Sequence, residues 1–383
     1  MTALVEWSEH GRSRRGRWRS AAALPPPDEV AAVDAGLGVE AAWTRLAAGE
    51  YLLLSGDWPT ARRLLQGLTQ RAERHFRCVP AAGDARETFV RHRAMQGQRA
   101  ALLARLLVPL GPDYKLPLHR AQDVRAACRE AWGKPDGSNS VLALRELLAV
   151  VSAHEWRKKG VPVAALNASI HPHYGVFSPL RGEYVDLLVQ AELPAACAAP
   201  GALAFDIGTG SGVLAAVLAR RGLKVVATDS APQAIACASE NLERLGLAGQ
   251  VSVVEADLFP AGQAALIVCN PPWLPAQPTS PVEQAVYDPD SRMLRGFLDG
   301  LAARLLPGGE GWLILSDLAE HLGLRSRREL EDWIAAAGLR VAGRLDTRPR
   351  HGKAQDKNDP LHAARSAEVT SLWRLVAQRL VVQ

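Results

Sequence analysis

The chain lacks any Cys-x-x-Cys pair, and its five cysteines (Cys78, Cys128, Cys197, Cys237 and Cys269) are scattered and odd in number. That excludes a disulfide framework and a cysteine-built zinc site, and it fits a reducing cytoplasm. His171 and His173 have no carboxylate or cysteine at ligand spacing, so no metal is expected. No apolar run is long enough to span a bilayer. Arg12, Arg14, Arg15, Arg17 and Arg19 precede a short apolar stretch at 21–24, but the prolines at 25–27 cut it too short for a signal-peptide core. No internal repeat is visible. The expectation is a cytoplasmic protein without membrane or metal partners.

What the chain has is length, apolar content and uneven charge. At 383 residues, 48% of them apolar, two domains with sizeable cores are expected. Residues 1–165 hold 25 Lys and Arg against 17 Asp and Glu, a net +8, while 166–383 carry −3. A basic N-terminal half suggests an anionic partner such as nucleic acid or the ribosome; solvated helix faces are the plainer explanation.

The Arg- and Pro-rich residues 1–27 read as poorly ordered. Residues 28–165 read as a helical domain. Apolar residues recur at three- and four-residue spacing over 40–48, 59–70, 86–107 and 141–159, with breakers between. The texture changes near residue 165. Across 166–383 short β-branched or apolar runs alternate with helical patterns, the sign of a parallel sheet with crossovers. Strands are expected at 202–207, 224–228, 251–255, 264–269, 311–315, 340–345 and 369–376, the last two forming a hairpin. The polar stretch 346–368, which carries Arg350 and His351, reads as a basic loop near the substrate face or a plain connection.

Chemistry concentrates where strands end. Asp206-Ile207-Gly208-Thr209-Gly210-Ser211-Gly212 follows the first strand and opens a helix, a setting in which glycines permit close backbone approach to a ligand. The spacing is G-x-G-x-G rather than the dinucleotide fingerprint G-x-G-x-x-G, and an acidic residue stands two positions earlier. Asp229 ends the second strand, where a carboxylate accepts the hydroxyls of a ribose. Asp257 and Leu258 follow the third strand, placed to flank an adenine. The fourth runs into Asn270-Pro271-Pro272-Trp273, a rigid turn because neither proline can continue a ladder. The Asn270 side chain and the Pro271 carbonyl supply acceptors for two N–H groups, and Trp273 supplies a flat ring. Such a site suits methyl transfer to a planar nitrogen, whose delocalised lone pair must be turned toward the donor.

These residues resemble the class I S-adenosylmethionine-dependent methyltransferases. More narrowly, they resemble the branch with an Asn-Pro-Pro-aromatic motif, which includes release-factor glutamine methyltransferases and adenine- or guanine-amino methyltransferases. The resemblance covers roughly 170–380. It implies a Rossmann-like α/β domain with a seven-stranded sheet of order 3-2-1-4-5-7-6. S-adenosylmethionine would lie over Gly208 to Gly212 with Asp229 on its ribose, and Asn270 to Trp273 would hold the target nitrogen. Val286-Tyr287-Asp288-Pro289 and Asp299-Gly300-Leu301 are similar to segments of the glutamine branch, which favours a protein acceptor over a nucleic-acid one. Trp273 stands where that branch usually has tyrosine, and the N-terminal region is about twice the expected size. Phe177 and Arg181 lie in a segment that reads as a cover over the cofactor. A cofactor-binding RNA- or ribosome-associated module without turnover is a further alternative.

Overall fold

The computed structural model describes residues 3–9, 11–77, 84–179, 182–278, 281–350 and 355–378. They form two compact units: Met1–Val79 with Val90–Glu155, and Pro80–Phe89 with Trp156–Gln383.

In chain order, the elements up to residue 159 are β1 (Leu4–Glu9), β2 (Arg12–Trp18), β3 (Ala31–Asp34), α1 (Val39–Ala47), β4 (Leu52–Ser55), α2 (Trp58–His75), α3 (Ala85–Ala104), β5 (Leu106–Leu110), α4 (Arg125–Trp132), β6 (Ser140–Ala143) and α5 (Leu144–Lys159). This corrects the helical expectation for 28–165, because a six-stranded sheet of order β1-β2-β6-β5-β4-β3 runs through the unit. The physical reason is strand length. β3, β4 and β6 have four residues each, and β5 and β6 abut helices, so their apolar side chains extend the helical periodicity in sequence. Helix signals remain legible where caps exist. Asp57 accepts the Thr60 N–H at 3.2 Å, with Pro59 in the first turn of α2.

Residues 1–27 need a second correction. β1 and β2 pair antiparallel, Leu4 opposite Arg17 and Trp7 opposite Arg14, and Val5, Trp7 and Trp18 are buried in a common core. Alternate strand residues point inward, so the hydrophobic set was present but masked by arginines on the other face. Trp18 donates its indole N–H to the Leu24 carbonyl at 2.8 Å, and the Arg19 guanidinium lies over the Tyr114 and Trp132 rings.

The second unit continues with a small hairpin, β7 (Val161–Val163) and β8 (Ala168–Ile170), then α6 (Glu183–Gln190), β9 (Leu203–Ile207), α7 (Val213–Arg220), β10 (Lys224–Asp229), α8 (Pro232–Arg244), β11 (Val251–Glu255), β12 (Ala264–Cys269), α9 (Arg292–Arg304), β13 (Leu305–Ser316), α10 (Leu318–His321), α11 (Arg327–Ala336), β14 (Leu339–Thr347), α12 (His362–Ala367) and β15 (Thr370–Ala377). The large sheet has order β11-β10-β9-β12-β13-β15-β14, which numbers within the unit as 3-2-1-4-5-7-6. β9 to β13 are parallel, and β15 runs antiparallel to both neighbours. One core packs α6, α7 and α8 against one face, and a second packs α9 and α11 against the other. β12 is buried along its whole length, as a central parallel strand must be when both faces are covered.

Candidate cofactor and acceptor site

The site is set by strand register. Ile207, the last residue of β9, pairs with Thr228 of β10 on one side and Cys269 of β12 on the other. Gly208, Asp229 and Asn270 are therefore the next residues at the carboxyl ends of three adjacent strands, where open α/β sheets bind ligands.

The glycine loop turns on positive φ. Gly208, Gly210 and Gly212 have φ of +70°, +54° and +82°, a region costly for residues with a Cβ. Their neighbours differ. A Cβ on Gly212 would stand 3.2 Å from Ala238 of α8, and one on Gly208 would collide with the Met293 Cε at 2.4 Å, whereas Gly210 faces open space. Gly212 thus serves close packing, and Gly210 leaves a backbone cradle beside the strand ends.

Two carboxylates frame that cradle. Asp206 is buried, and its Oδ2 accepts from the Thr209 hydroxyl at 2.6 Å and the Ala215 N–H at 3.0 Å, while Oδ1 has no partner among the described residues. Burial pushes its carboxyl up to about 6, against the opposing pull of those two donors, and the charge of Asp229 adds to the rise. Asp229 accepts the Gly210 N–H on Oδ2 and the Ala231 N–H on Oδ1, both at 3.0 Å, which fixes its carboxylate at the mouth of the loop. Thr209 donates its N–H to the Thr228 carbonyl, and the Ser211 carbonyl accepts from Asn241 of α8 at 3.1 Å. The residues suit a ligand with a cationic amine and a ribose. Asp206 offers a buried unpartnered oxygen, Asp229 a second carboxylate, and Gly210 an open backbone.

Residues after β11 are arranged differently from one another. Asp257 is exposed, 3.6 Å from the Arg292 guanidinium. Leu258 has φ +69°, its carbonyl accepts from the Thr228 hydroxyl at 2.6 Å, and its side chain packs on Gly296 of α9. Phe259 stacks on Phe297 with ring centroids 5.9 Å apart.

At the end of β12, the Trp273 indole N–H donates to the Asn270 Oδ1 at 2.9 Å. The Trp273 ring is half-buried and packs against both cores of the unit. Leu274 then exchanges hydrogen bonds with the strand-like stretch Val286 to Asp288. Buried Asp288 accepts the N–H groups of Met293 and Leu294 and so caps α9. Met293 and Asp288 are contributors that spacing did not reveal as site residues; only the Asp288-Pro289 pair carried a signal.

The segment before α6 runs along α8. His171 donates its N–H to the Asn241 Oδ1 at 2.8 Å, and the His173 ring contacts Glu240 at 2.8 Å. Val176 is buried against Ala234 and Cys237. Phe177, the next residue, is half-buried, whereas Arg181 lies outside the described residues. The Arg350 N–H donates to Glu183 Oε1 at 2.5 Å, which ties the stretch after β14 to α6; His351 lies outside the described residues. The expected basic loop is partly ordered, since α12 forms within it and buries Leu361 and Ala364. Among the described residues no group of three metal-ligating side chains occurs, and no helix is long and apolar enough to cross a membrane.

Comparison with known proteins agrees with this geometry. Residues 167–321 match the family model described as "Methyltransferase small domain". The chain is 35% identical over 162 residues to a release factor glutamine methyltransferase from Cereibacter sphaeroides, covering 40% of this chain and 54% of that protein. It is 31% identical over 227 residues to the release factor glutamine methyltransferase of Gloeobacter violaceus, covering 57% and 69%. It is also 33% identical over 143 residues to ribosomal RNA small subunit methyltransferase C of Alcanivorax borkumensis, covering 37% and 40%. With the Cereibacter protein the match spans only about half the relative's length. The chain belongs to the small-domain methyltransferases, which take their methyl group from S-adenosylmethionine.

Proposed function

We propose that the chain is an N-methyltransferase of the cytoplasm whose acceptor is the side-chain amide of a glutamine in a protein. The observation that carries this reading is the register of Ile207, which brings the glycine loop, Asp229 and Asn270 to neighbouring strand ends. The cofactor, when bound, supplies an electrophilic methyl group. Asp206, the backbone of Gly208 to Gly212 and Asp229 hold it, with Asp257 and Leu258 beside its base.

The protein's part in the chemistry is orientation. Asn270 Oδ1 has two lone pairs, one of which receives the indole N–H. The other, with the Pro271 carbonyl, accepts the two N–H groups of the acceptor amide. Held in that plane, the amide nitrogen presents its π-face to the donor, a gain in geometry rather than in basicity. As the new N–C bond forms, the bond from the methyl to the donor's sulfonium would break with its electron pair kept on sulfur, which would leave as a neutral thioether; the nitrogen then releases one proton to solvent, so no strong base is needed. Pro271 and Pro272 hold the turn rigid, Trp273 holds Asn270, and Phe177 and Arg350 are assigned to the rim.

A second reading is methyl transfer to an amino group of ribosomal RNA. Exposed Arg12, Arg14 and Arg15 on β2 favour it, as does the match to an RNA enzyme. Incubation with methyl-labelled cofactor and cell extract, followed by nuclease or protease, separates the two. Label lost to protease but not nuclease supports the glutamine reading; label lost to nuclease replaces it with the second.

A further inference from the structure

Arg325, between α10 and α11, is only 3% exposed, yet its Nε and Nη2 have no hydrogen-bond partner among the described residues. A buried guanidinium with two unpartnered nitrogens is costly, and folds retain one where something else satisfies it. Burial disfavours its charge most; three carboxylates, Glu320, Glu329 and Asp288, favour it, and Arg327 opposes them. Each carboxylate is already engaged. Glu320 accepts from Arg327 at 2.8 and 3.0 Å, Glu329 closes the cap of α11 with Ser326, and Asp288 accepts the Met293 and Leu294 N–H groups.

The location matters. The Asp288 N–H donates to the carbonyl of Leu274, the residue after Trp273, at 2.9 Å. Leu274 shares an apolar cluster with Leu318, Ala319 and Leu322, the turn that leads into Arg325. The segment that leads into Arg325 therefore packs against the residue that follows Trp273. A guanidinium matches a carboxylate bidentately. A buried one admits a planar anion on a thin side-chain arm more readily than a phosphodiester, which carries a chain on both sides.

We propose that Arg325 binds the acceptor, taking the carboxylate of an aspartate or glutamate side chain near the methylated glutamine. The proposal rests on the protein-acceptor reading above. Two measurements on the full chain test it. The first is thermal unfolding of wild type and Arg325→Met in glutarate, dimethyl phosphate or chloride at equal ionic strength. In chloride, Arg325→Met melts at or above the wild-type midpoint, because two unsatisfied buried donors have gone; glutarate raises the midpoint of wild type and not of the variant. A variant melting well below wild type, with no glutarate effect on either, overturns the proposal and makes Arg325 a structural residue. Protection by dimethyl phosphate equal to that by glutarate overturns it in favour of a nucleic-acid phosphate. The second is transfer of labelled methyl to synthetic peptides with one glutamine, in which a single glutamate or methionine is moved along the sequence. Wild type prefers glutamate at one position by about tenfold in kcat/KM. Arg325→Met loses that preference and Arg325→Lys keeps part of it; an unaltered preference in Arg325→Met contradicts the proposal. If wild type methylates no peptide, the glutamine reading fails and the unfolding experiment alone decides on Arg325.

Discussion

The indole nitrogen of Trp273 lies 2.9 Å from the side-chain oxygen of Asn270, three residues earlier in the same turn. Because an indole N–H only donates, it fixes which end of the amide faces it. The Asn270 oxygen is thereby held in one orientation with one lone pair to spare. Tyrosine, the more usual residue at this place in the resemblance, ends in a hydroxyl that both donates and accepts, so it does not impose the same choice. Trp273 is consequently a positioning residue whose ring is anchored in two cores and whose N–H sets the amide.

Trp273→Phe keeps an aromatic ring and removes the donor. Turnover should fall about fivefold, the worth of one hydrogen bond of roughly 1 kcal/mol, while the acceptor KM changes little. A raised KM with unchanged kcat would instead make the ring a stacking platform. Steady-state kinetics distinguish the two.

Asn270→Ala removes the acceptor oxygen itself. Loss of a preorganised polar group of this kind costs on the order of a hundredfold or more in rate. Cofactor affinity, measured by calorimetry, should stay near that of wild type, because Asp206, Gly210 and Asp229 are untouched. A proportionate loss of cofactor binding would move Asn270 from the acceptor side to the cofactor side.

If Asp206 holds the cofactor amine as proposed, cofactor binding should depend on pH. Burial raises its carboxyl to about 6, so the folded chain holds this proton more tightly than the unfolded chain. The resulting stabilisation is complete below about pH 4 and is lost as pH rises through about 6. Asp206→Asn should therefore gain in melting temperature relative to wild type between pH 5 and 7. A cationic ligand reverses the preference by favouring the ionised carboxylate. S-adenosylmethionine affinity should rise over the same window, with net proton release visible in buffers of different ionisation enthalpy. Flat affinity from pH 5 to 7 would exclude Asp206 from the amine.

The loop glycines separate stability from binding. Gly212→Ala adds a Cβ 3.2 Å from Ala238 at φ +82° and should cost about 1–3 kcal/mol of stability. Gly210→Ala meets nothing within 4 Å and should cost about 1 kcal/mol from its positive φ alone, while abolishing cofactor binding. Equal loss of stability in the two variants would contradict this division.

The large sheet of the second unit was legible because several of its strands end in a distinctive signal: glycines after β9, Asp229 at the end of β10, the prolines after β12. The hairpin of β14 and β15 followed from the strand pattern and the sheet order from the resemblance; the antiparallel pairings of β15 with β14 and β13 match both. The first unit was not legible as a sheet. Leu106 and Leu107 continue the apolar stripe of α3, and Val141 to Ala143 lead straight into α5, so no period change marks them. The site showed a parallel limit. Residue types at strand ends could be read, but the Trp273–Asn270 bond, the contact of Met293 with Gly208 and the burial of Arg325 arise from tertiary packing and leave no spacing in the chain.

The most direct test is to incubate wild type and Asn270→Ala with methyl-labelled S-adenosylmethionine and a purified peptide-chain release factor, then map the label by mass spectrometry. The account predicts one methyl group on a glutamine side-chain nitrogen with wild type and none with Asn270→Ala. A methyl group on any other atom, or equal labelling by both proteins, would contradict it.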